Sequence, residues 1–428
     1  MRCLRIGSVM ELSNDKFDAG SSTKWLTIVG IGEDGVPGLG DEAREAVKDA
    51  VYVFGGKRHL ALAKELINGE SLPWSHPFDT SMASVLEKRG QKTCVLASGD
   101  PSFYGVGATL SRVVDVNEMR VFPAPSAFSL AAARLGWPLQ ETQCLSLHAH
   151  PIANLRRYLQ PGQRILAFTS GAESPVEIAR FLSTHGFGAS RITVLEALGG
   201  DGERISAQIA SSFDAPGINP LNLVAIEVAI DIAGDGDETR IIPLTPGLPD
   251  SWFDHDGQIT KREIRALTIA ALAPQPGERL WDIGAGAGSV SIEWMLSALD
   301  MRAIAIESNH ARAENIRANA LALGTPALEI IEGRAPGALE GLETPDAIFI
   351  GGGGTNEGVV QAAVDALPIG GRLIANAVTV EMEAVLMDAY CKLGGELTRL
   401  AVSKIEPIGT LNTWRPALPI TQWSWRKS

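Results

Sequence analysis

Short apolar runs alternate with helix-forming segments along most of the chain, starting at Trp25. Residues 25–30, 50–54 and 94–98 are apolar and rich in β-forming side chains, whereas residues 41–50 have the spacing of an amphipathic helix. Strand-like and helix-like periods that alternate in this way are typical of sheets covered by helices. The pattern therefore predicts an α/β fold.

The alternation continues through the middle of the chain, breaks once, and then restarts. Residues 241–256 contain three prolines, Pro243, Pro246 and Pro249, and this composition is typical of an irregular connection between domains. The predicted strands are 163–169, 191–196, 223–228, 279–283, 302–307, 328–332, 347–350 and 371–376, and the predicted helices are 175–185, 260–272, 289–299 and 311–323. We therefore expect a flexible polar extension over 1–22, a domain over 23–240, a linker over 241–256 and a second domain over 257–428.

Length, composition and charge narrow the classes of function. A chain of 428 residues with 45% hydrophobic and 20% charged residues is long enough for two globular domains. The net charge of −13 argues against a nucleic-acid binder, because neutralising phosphates requires a basic surface. From its composition we expect neither a secretory signal nor a membrane-spanning run, and the four cysteines lack zinc or disulfide spacing. We expect a cytoplasmic protein with no metal site.

The strongest local motif is a turn with glycine at every second position, Gly284, Gly286 and Gly288, between the strand 279–283 and a helix. Such a turn lets the backbone approach a ligand closely. A dinucleotide site also joins a strand to a helix through glycines, but its third glycine would stand at Ser289.

Two carboxylates near this turn favour a nucleoside sulfonium, S-adenosyl-L-methionine, over a nicotinamide cofactor or a purely structural turn. Asp282 in the strand suits the amino group of a methionine. Glu307 ends the next strand, about twenty residues after the turn, where a carboxylate accepts both ribose hydroxyls.

The first half carries a weaker glycine pattern. Gly30, Gly32 and Gly35 satisfy the dinucleotide spacing, yet Pro37 and the glycines after it prevent a helix where a pyrophosphate would need one. A different pair of motifs stands out in the same half: the strand that leads into Ser98-Gly99-Asp100-Pro101, and the segment Phe122-Pro-Ala-Pro-Ser126-Ala127-Phe128.

Together with Gly30-Ile-Gly32, these motifs resemble the tetrapyrrole methylase family over about residues 24–235. The resemblance implies a two-lobed fold whose cleft holds S-adenosyl-L-methionine. Its contacts would be Gly30 and Gly32, then Ser98, Gly99 and Asp100 at the methionine end, and Ser126 and Ala127 on the opposite wall. Residues 134–137 and 145–148 further resemble precorrin methylases that act at carbon 5. Asp100 could instead cap a turn, and His148 and His150 are either structural or catalytic.

Residues 255–265, 282–288 and 346–354 resemble the decarboxylating precorrin methylase domain of cobalamin biosynthesis, over about residues 250–400. That domain has a Rossmann-like seven-strand methyltransferase fold. Lys261, Arg262 and Arg265 would anchor substrate carboxylates, although from the residues alone they could form a solvated helix face. The resemblance places Gly351 and Gly352 at the substrate, and it places the following residues at the cofactor: Thr260, Asp282, Gly284, Ala285, Gly286, Ala287, Gly288, Glu307 and Ala335.

The two resemblances together imply two S-adenosyl-L-methionine sites and one tetrapyrrole substrate. The expected reaction converts precorrin-6B to precorrin-8X by methylation at carbons 5 and 15, with loss of the ring C acetate carboxylate. We expect a homo-oligomer that binds neither nucleic acid nor membrane. The alternatives are a methyltransferase for RNA or protein fused to an unrelated α/β module, and a tetrapyrrole-binding carrier.

Overall fold

The computed structural model describes residues 24–231 and 239–428, and the extension predicted over 1–22 lies outside these residues. The chain divides into two compact units. The first contains the chain up to Ser146 with Arg164–Val176 and Arg191–Glu227, and the second contains Leu147–Gln163, Glu177–Ser190 and Val228–Ser428. The division therefore crosses the sequence several times.

The first sheet of unit 1 consists of parallel strands in the order β3-β2-β4-β1-β5. Its central strands are buried on both faces, as the apolar runs predicted. The strands are β1 (Leu26–Ile31), β2 (Tyr52–Gly55), β3 (Glu70–Pro73), β4 (Thr93–Ser98) and β5 (Met119–Phe122), and the helices between them are α1 (Asp41–Lys48), α2 (Lys57–Leu62), α3 (Ala83–Leu86) and α4 (Val106–Leu110).

The second sheet of unit 1 is mixed, in the order β6-β7-β10-β8-β9. Only β6 and β7 run parallel within it, and the other neighbours are antiparallel. Its strands are β6 (Thr142–Ser146), β7 (Arg164–Phe168), β8 (Arg191–Glu196), β9 (Arg204–Ile209) and β10 (Asn222–Glu227), and the helices along this stretch of chain are α5 (Ala127–Leu135) and α6 (Ser174–Thr184). Two different sheets in unit 1 agree with the two-lobed fold that was predicted.

Unit 2 contains a seven-stranded sheet in the order β13-β12-β11-β14-β15-β19-β16. The first five of these strands are parallel, and β19 runs antiparallel to both of its neighbours. The strands are β11 (Arg279–Ile283), β12 (Arg302–Glu307), β13 (Glu329–Glu332), β14 (Ala347–Ile350), β15 (Arg372–Ala377), β16 (Glu396–Leu400) and β19 (Ile420–Arg426), and a separate hairpin is formed by β17 (Ser403–Ile408) and β18 (Leu411–Pro416). The helices along residues 257–428 are α7 (Arg262–Leu272), α8 (Ser289–Leu296), α9 (His310–Ala322), α10 (Val359–Ala366) and α11 (Val380–Leu393), and most of α6 also belongs to unit 2.

The proline-containing segment 241–256 packs into unit 2. Ile242, Leu248 and Phe253 are buried in the same apolar core as Trp294 of α8. Burial of three large apolar side chains fixes most of this segment to the unit. Within residues 24–231 and 239–428, every helix is too short or too polar to cross a bilayer.

Candidate donor-binding sites in the two units

A cavity of about 1000 Å³ lies at the carboxyl ends of the parallel strands of unit 2. The loops after β11, β12, β13 and β14 all line it, through residues such as Gly284, Ser308, Gly333 and Gly351. The strand order reverses direction between β11 and β14, and ligands of open α/β sheets bind at such a point. The fold therefore places the glycine turn where a ligand site is expected.

The glycine turn is held in a backbone conformation that favours glycine. Gly284, Gly286 and Gly288 have φ angles of 71°, 59° and 73°. A Cβ atom on Gly284 would lie 2.5 Å from the carbonyl oxygen of Gly352. The turn after β11 and the glycine run after β14 thus approach each other too closely for any side chain, and both form the floor of the cavity.

Glu307 at the end of β12 fixes the turn from the other side. One carboxylate oxygen accepts a hydrogen bond from the backbone N–H of Gly286 at 2.9 Å, and the other accepts one from Asn309 at 2.9 Å. Each oxygen keeps a free lone pair, and Glu307 lines the cavity. This arrangement fits a carboxylate that accepts ligand hydroxyls.

Asp282 on β11 is buried and only half satisfied. Its Oδ2 accepts hydrogen bonds from the backbone N–H and the hydroxyl of Ser291 at 3.1 Å and 2.6 Å, whereas its Oδ1 has no partner among the described residues. Burial raises the pKa of the Asp282 carboxyl to about 6, although the bonds from Ser291 act in the opposite direction. An unpartnered buried carboxylate oxygen is costly, and a cationic ammonium group would offset that cost.

Nine of the residues predicted for this site line the cavity, and five do not. The lining residues are Thr260, Lys261, Gly284, Ala285, Gly286, Glu307, Ala335, Gly351 and Gly352. The predicted residues outside the lining are Arg262, Arg265, Asp282, Ala287 and Gly288.

The structure contradicts the prediction that Arg265 anchors the substrate. Its side chain is fully buried, and its guanidinium donates to Glu293 at 2.6 Å and to Asp250 at 3.1 Å, and to the carbonyls of Thr260 and Leu248. Because its donors are directed at protein acceptors, Arg265 ties the segment before α7 to α8 and is not available to a ligand. Arg262 is exposed and lies outside the cavity lining.

Other cations, which the sequence reasoning missed, line the cavity instead. Arg312 on α9, Arg334 after β13, and Lys404 and Arg415 on the hairpin join Lys261 in the lining. They lie far apart in sequence and share no motif, so only the fold brings them together. The five cations share the lining with four carboxylates, Asp250, Glu263, Glu307 and Glu406, so the lining is close to neutral while the chain as a whole has a net charge of −13.

Asn376 at the end of β15 is a further missed residue of the cavity wall. Its Nδ2 donates to the hydroxyl of Thr268 at 3.0 Å, and its Oδ1 accepts from Gln422 at 2.9 Å. The Thr268 hydroxyl donates to the Ile264 carbonyl, so it acts as an acceptor toward Asn376 and fixes the orientation of that amide. One N–H of Asn376 remains available to a ligand.

In unit 1, three chain segments converge around Gly30. A Cβ atom there would lie 2.0 Å from the carbonyl oxygen of Gly99 and 2.7 Å from the backbone nitrogen of Ala124. Gly99 has a φ angle of 56°, and its own Cβ atom would meet Ser126 at 3.0 Å. The structure thus brings together the three motifs that the sequence analysis selected in this half.

A small cavity of about 60 Å³ borders this convergence and is lined by Gly30 and Gly32, but not by the other predicted residues. Ser126 caps α5 by accepting a hydrogen bond from the backbone N–H of Ser129 at 3.1 Å, and Ala127 is the first residue of that helix. Asp100 accepts one from Ser102 at 2.8 Å, which is the turn-capping contact considered above. Glycine at positions 30 and 99 thus lets the backbones of these segments pack directly against each other beside the small cavity.

An ion pair beside these motifs, between Arg58 and Glu33, was not predicted from the sequence. Arg58 on α2 pairs with Glu33 of the small cavity, and it donates to the Ser98 hydroxyl at 3.4 Å. Burial and the neighbouring Arg58 lower the pKa of His59 to about 4, so its imidazole is neutral at pH 7. Arg58 therefore connects Ser98 to the segment that follows Gly32.

His148 and His150 are both exposed, and their role stays open. One group of potential metal ligands occurs among the described residues, His310, Glu314 and Glu332, and all three are exposed. Arg317 contacts both glutamates, and His310 lies 2.8 Å from Glu332. Ion pairs thus account for this group.

The comparisons with known proteins agree with two methylase units of different kinds. Residues 25–211 match the family of tetrapyrrole (corrin/porphyrin) methylases, and residues 251–427 match the precorrin methyltransferase domain. The chain is therefore a fusion of two methylase domains of different kinds, and membership of these families implies the use of S-adenosyl-L-methionine.

A relative from Sinorhizobium sp., named precorrin-6Y C(5,15)-methyltransferase [decarboxylating], is 54% identical over 403 residues, covering 94% of this chain and 96% of its own. The chain belongs to that family of methyltransferases of cobalamin biosynthesis. It is thus an enzyme, and the alternatives of a carrier and of an RNA or protein methyltransferase are set aside.

Two shorter relatives each match less than half of the chain. A probable cobalt-precorrin-6B C(15)-methyltransferase (decarboxylating) from Saccharolobus solfataricus is 33% identical over 170 residues, covering 38% of this chain and 85% of its own. A cobalt-precorrin-7 C(5)-methyltransferase from Salmonella typhimurium is 31% identical over 180 residues, covering 42% and 88%.

Proposed function

We propose that the chain converts precorrin-6B to precorrin-8X with two molecules of S-adenosyl-L-methionine, one bound in each unit. In this proposal unit 1 methylates carbon 5, and unit 2 methylates carbon 15 and removes the ring C acetate carboxylate. The single observation that supports two sites best is that each unit has its own glycine cradle, around Gly30 and around Gly284, in which a Cβ atom would strike backbone. The existence of separate relatives named for one methylation each supports the same division.

The donor sites fit the charge of S-adenosyl-L-methionine, which supplies an activated methyl group on a sulfonium. In unit 2, Glu307 lines the cavity and accepts the ribose hydroxyls, whereas Asp282, buried just before the glycine turn and outside the cavity lining, favours the ammonium group of the methionine through its negative charge. Thr260 and Ala335 lie in the same cavity wall and enclose the nucleoside. In unit 1, Gly30 and Gly32 line the small cavity, Gly99 closely approaches Gly30, and Ser126 closely approaches Gly99. Ser98, Asp100 and Ala127 adjoin Gly99 and Ser126 in the sequence and complete the proposed site.

For methyl transfer and decarboxylation the protein must position the reactants and exclude water from them. An electron-rich carbon of the macrocycle attacks the methyl group in line, and correct placement supplies much of the rate. Loss of the acetate carboxylate leaves a carbanion equivalent that the conjugated ring stabilises and a proton completes. The cations of the cavity hold the other carboxylates while the reacting one lies away from water.

Mass analysis of the product tests the proposal. The full chain, incubated with precorrin-6B and S-adenosyl-L-methionine, is expected to add two methyl groups and release carbon dioxide. A Glu307→Gln variant should yield a product methylated once that keeps the carboxylate, and a Gly30→Ala variant a product methylated once that has lost it. A single methylation by the unmodified chain, or the same product from both variants, would contradict the division.

Self-association and a cytoplasmic location stay predictions. The outer face of the hairpin exposes Ile405 and Trp414, which are 58% and 67% accessible and lie directly opposite each other. Exposed apolar neighbours of this kind favour association. Light scattering on the full chain measures its mass in solution.

A further inference from the structure

The hairpin of unit 2 has two chemically different faces. Lys404 lies directly opposite Arg415, and Ile405 lies directly opposite Trp414. Successive residues of a strand point to opposite faces, so the two cations share one face and the two apolar residues share the other. Lys404 and Arg415 line the cavity, whereas Ile405 and Trp414 do not. The charged face of the hairpin is therefore a wall of the cavity.

Two cations placed directly opposite each other in antiparallel strands repel and destabilise the pair. Each has a carboxylate neighbour that reduces this repulsion. Lys404 lies 3.0 Å from Glu263 on α7, and Arg415 lies 3.2 Å from Glu406 on the hairpin itself. Both glutamates also line the cavity.

These ion pairs are weak enough to be exchanged. The side chains of Lys404 and Glu263 are 58% and 38% exposed, and those of Arg415 and Glu406 are 64% and 47% exposed. Exposed pairs of this kind contribute little to stability, because water screens the charges. An anionic ligand that offers its own carboxylates can replace the glutamates at little cost.

We propose that Lys404 and Arg415 are specificity-determining residues that bind carboxylate side chains of the acceptor tetrapyrrole, which replace Glu263 and Glu406. This inference rests on the proposed function, because it takes the acceptor to be a polycarboxylate. The protein as a whole carries a charge of −13 and repels such a ligand, so the attraction must be local. The paired cations on one face of the hairpin provide it.

If substrate carboxylates replace the glutamates, removing the cation and removing the glutamate of one ion pair should change acceptor affinity in opposite directions. Lys404→Gln or Arg415→Gln removes a cation and should weaken acceptor binding by about tenfold, the value of one charge-assisted hydrogen bond. Glu263→Gln or Glu406→Gln removes the competing carboxylate and should tighten acceptor binding severalfold. An ion pair that only supports the fold would affect acceptor binding in the same direction whichever partner is removed.

The experiment measures the dissociation constant of precorrin-6B for the full chain, in the presence of S-adenosylhomocysteine, by absorbance titration. Lys392→Gln is the matched control, because this exposed lysine of α11 pairs with Asp388 and lies outside the cavity lining. Binding of S-adenosylhomocysteine by calorimetry and thermal unfolding show that each variant is folded.

We expect weaker binding for Lys404→Gln and Arg415→Gln, tighter binding for Glu263→Gln and Glu406→Gln, and no change for Lys392→Gln. Unchanged affinity in both cation variants, or weaker binding in the glutamate variants as well, overturns the inference. Failure of the proposed function is seen separately, as absence of methyl transfer by the unmodified chain.

Discussion

Replacing Arg265 by alanine should unfold unit 2 more easily without acting directly on the acceptor. The side chain of Arg265 is 0% exposed and that of its partner Glu293 is 2% exposed. Glu293 would keep only the backbone donors Gly247 and Leu248, at 2.7 Å and 2.8 Å, and would lose its cationic partner. Removing one partner of a buried pair costs about 3–5 kcal/mol. Since domains are stable by only about 5–15 kcal/mol, this loss is a large fraction of the total.

Urea denaturation followed by tryptophan fluorescence measures the effect, because Trp281, Trp294 and Trp423 are buried in unit 2. Lys261→Ala is the comparison: this residue is exposed, lines the cavity and should leave the unfolding free energy within about 0.5 kcal/mol. The reasoning would be refuted if Arg265→Ala kept full stability and lost acceptor affinity, since the guanidinium would then be reaching the substrate.

Three further predictions concern the donor sites and the buried carboxylate. Glu307→Gln replaces one of the two carboxylate oxygens, which accept separately from the backbone N–H groups of Gly286 and Asn309, with an NH₂ group, so S-adenosylhomocysteine binding to unit 2 should weaken at least about tenfold in calorimetry. Gly30→Ala places a methyl group 2.0 Å from the Gly99 oxygen and should abolish the carbon 5 methylation detected by mass analysis, while carbon 15 methylation continues. The pKa of Asp282 is raised from 3.8 to about 6, so the folded chain keeps this proton to higher pH than the unfolded chain does. The free energy of unfolding should therefore fall as the pH rises from 3.8 to about 6, by up to about 1.4 kcal/mol per pH unit. Asp282→Asn should remove that slope from urea titrations at different pH values.

Strands that are marked by a continuous apolar run in the sequence were predicted correctly. The runs 191–196, 279–283 and 302–307 coincide with strands, because buried parallel and central strands are continuous apolar segments bounded by turns. The glycine turn at Gly284 was predictable for a similar reason, since its spacing encodes its own backbone conformation. The glycine motifs around Gly30 and around Gly284 could therefore be identified from the sequence alone.

The substrate side of the cavity was not predictable in the same way. The hairpin Ser403–Pro416 has mostly exposed residues and lacks a clean apolar alternation, so its strands gave no periodic signal. Lys404 and Asn376 are single polar residues whose importance arises only from long-range pairing. For Arg265 the sequence predicted a ligand contact that the structure does not have. A charged residue beside a motif is usually exposed, but Arg265 is buried and pairs with Glu293, an acid 28 positions away.

Calorimetric titration of the full chain with S-adenosylhomocysteine measures whether one chain holds two methyl donors. We expect two molecules to bind per chain; Glu307→Gln should leave only the site of unit 1 occupied, and Gly30→Ala only the site of unit 2. A stoichiometry of one for the unmodified chain, abolished by only one of these substitutions, would contradict it.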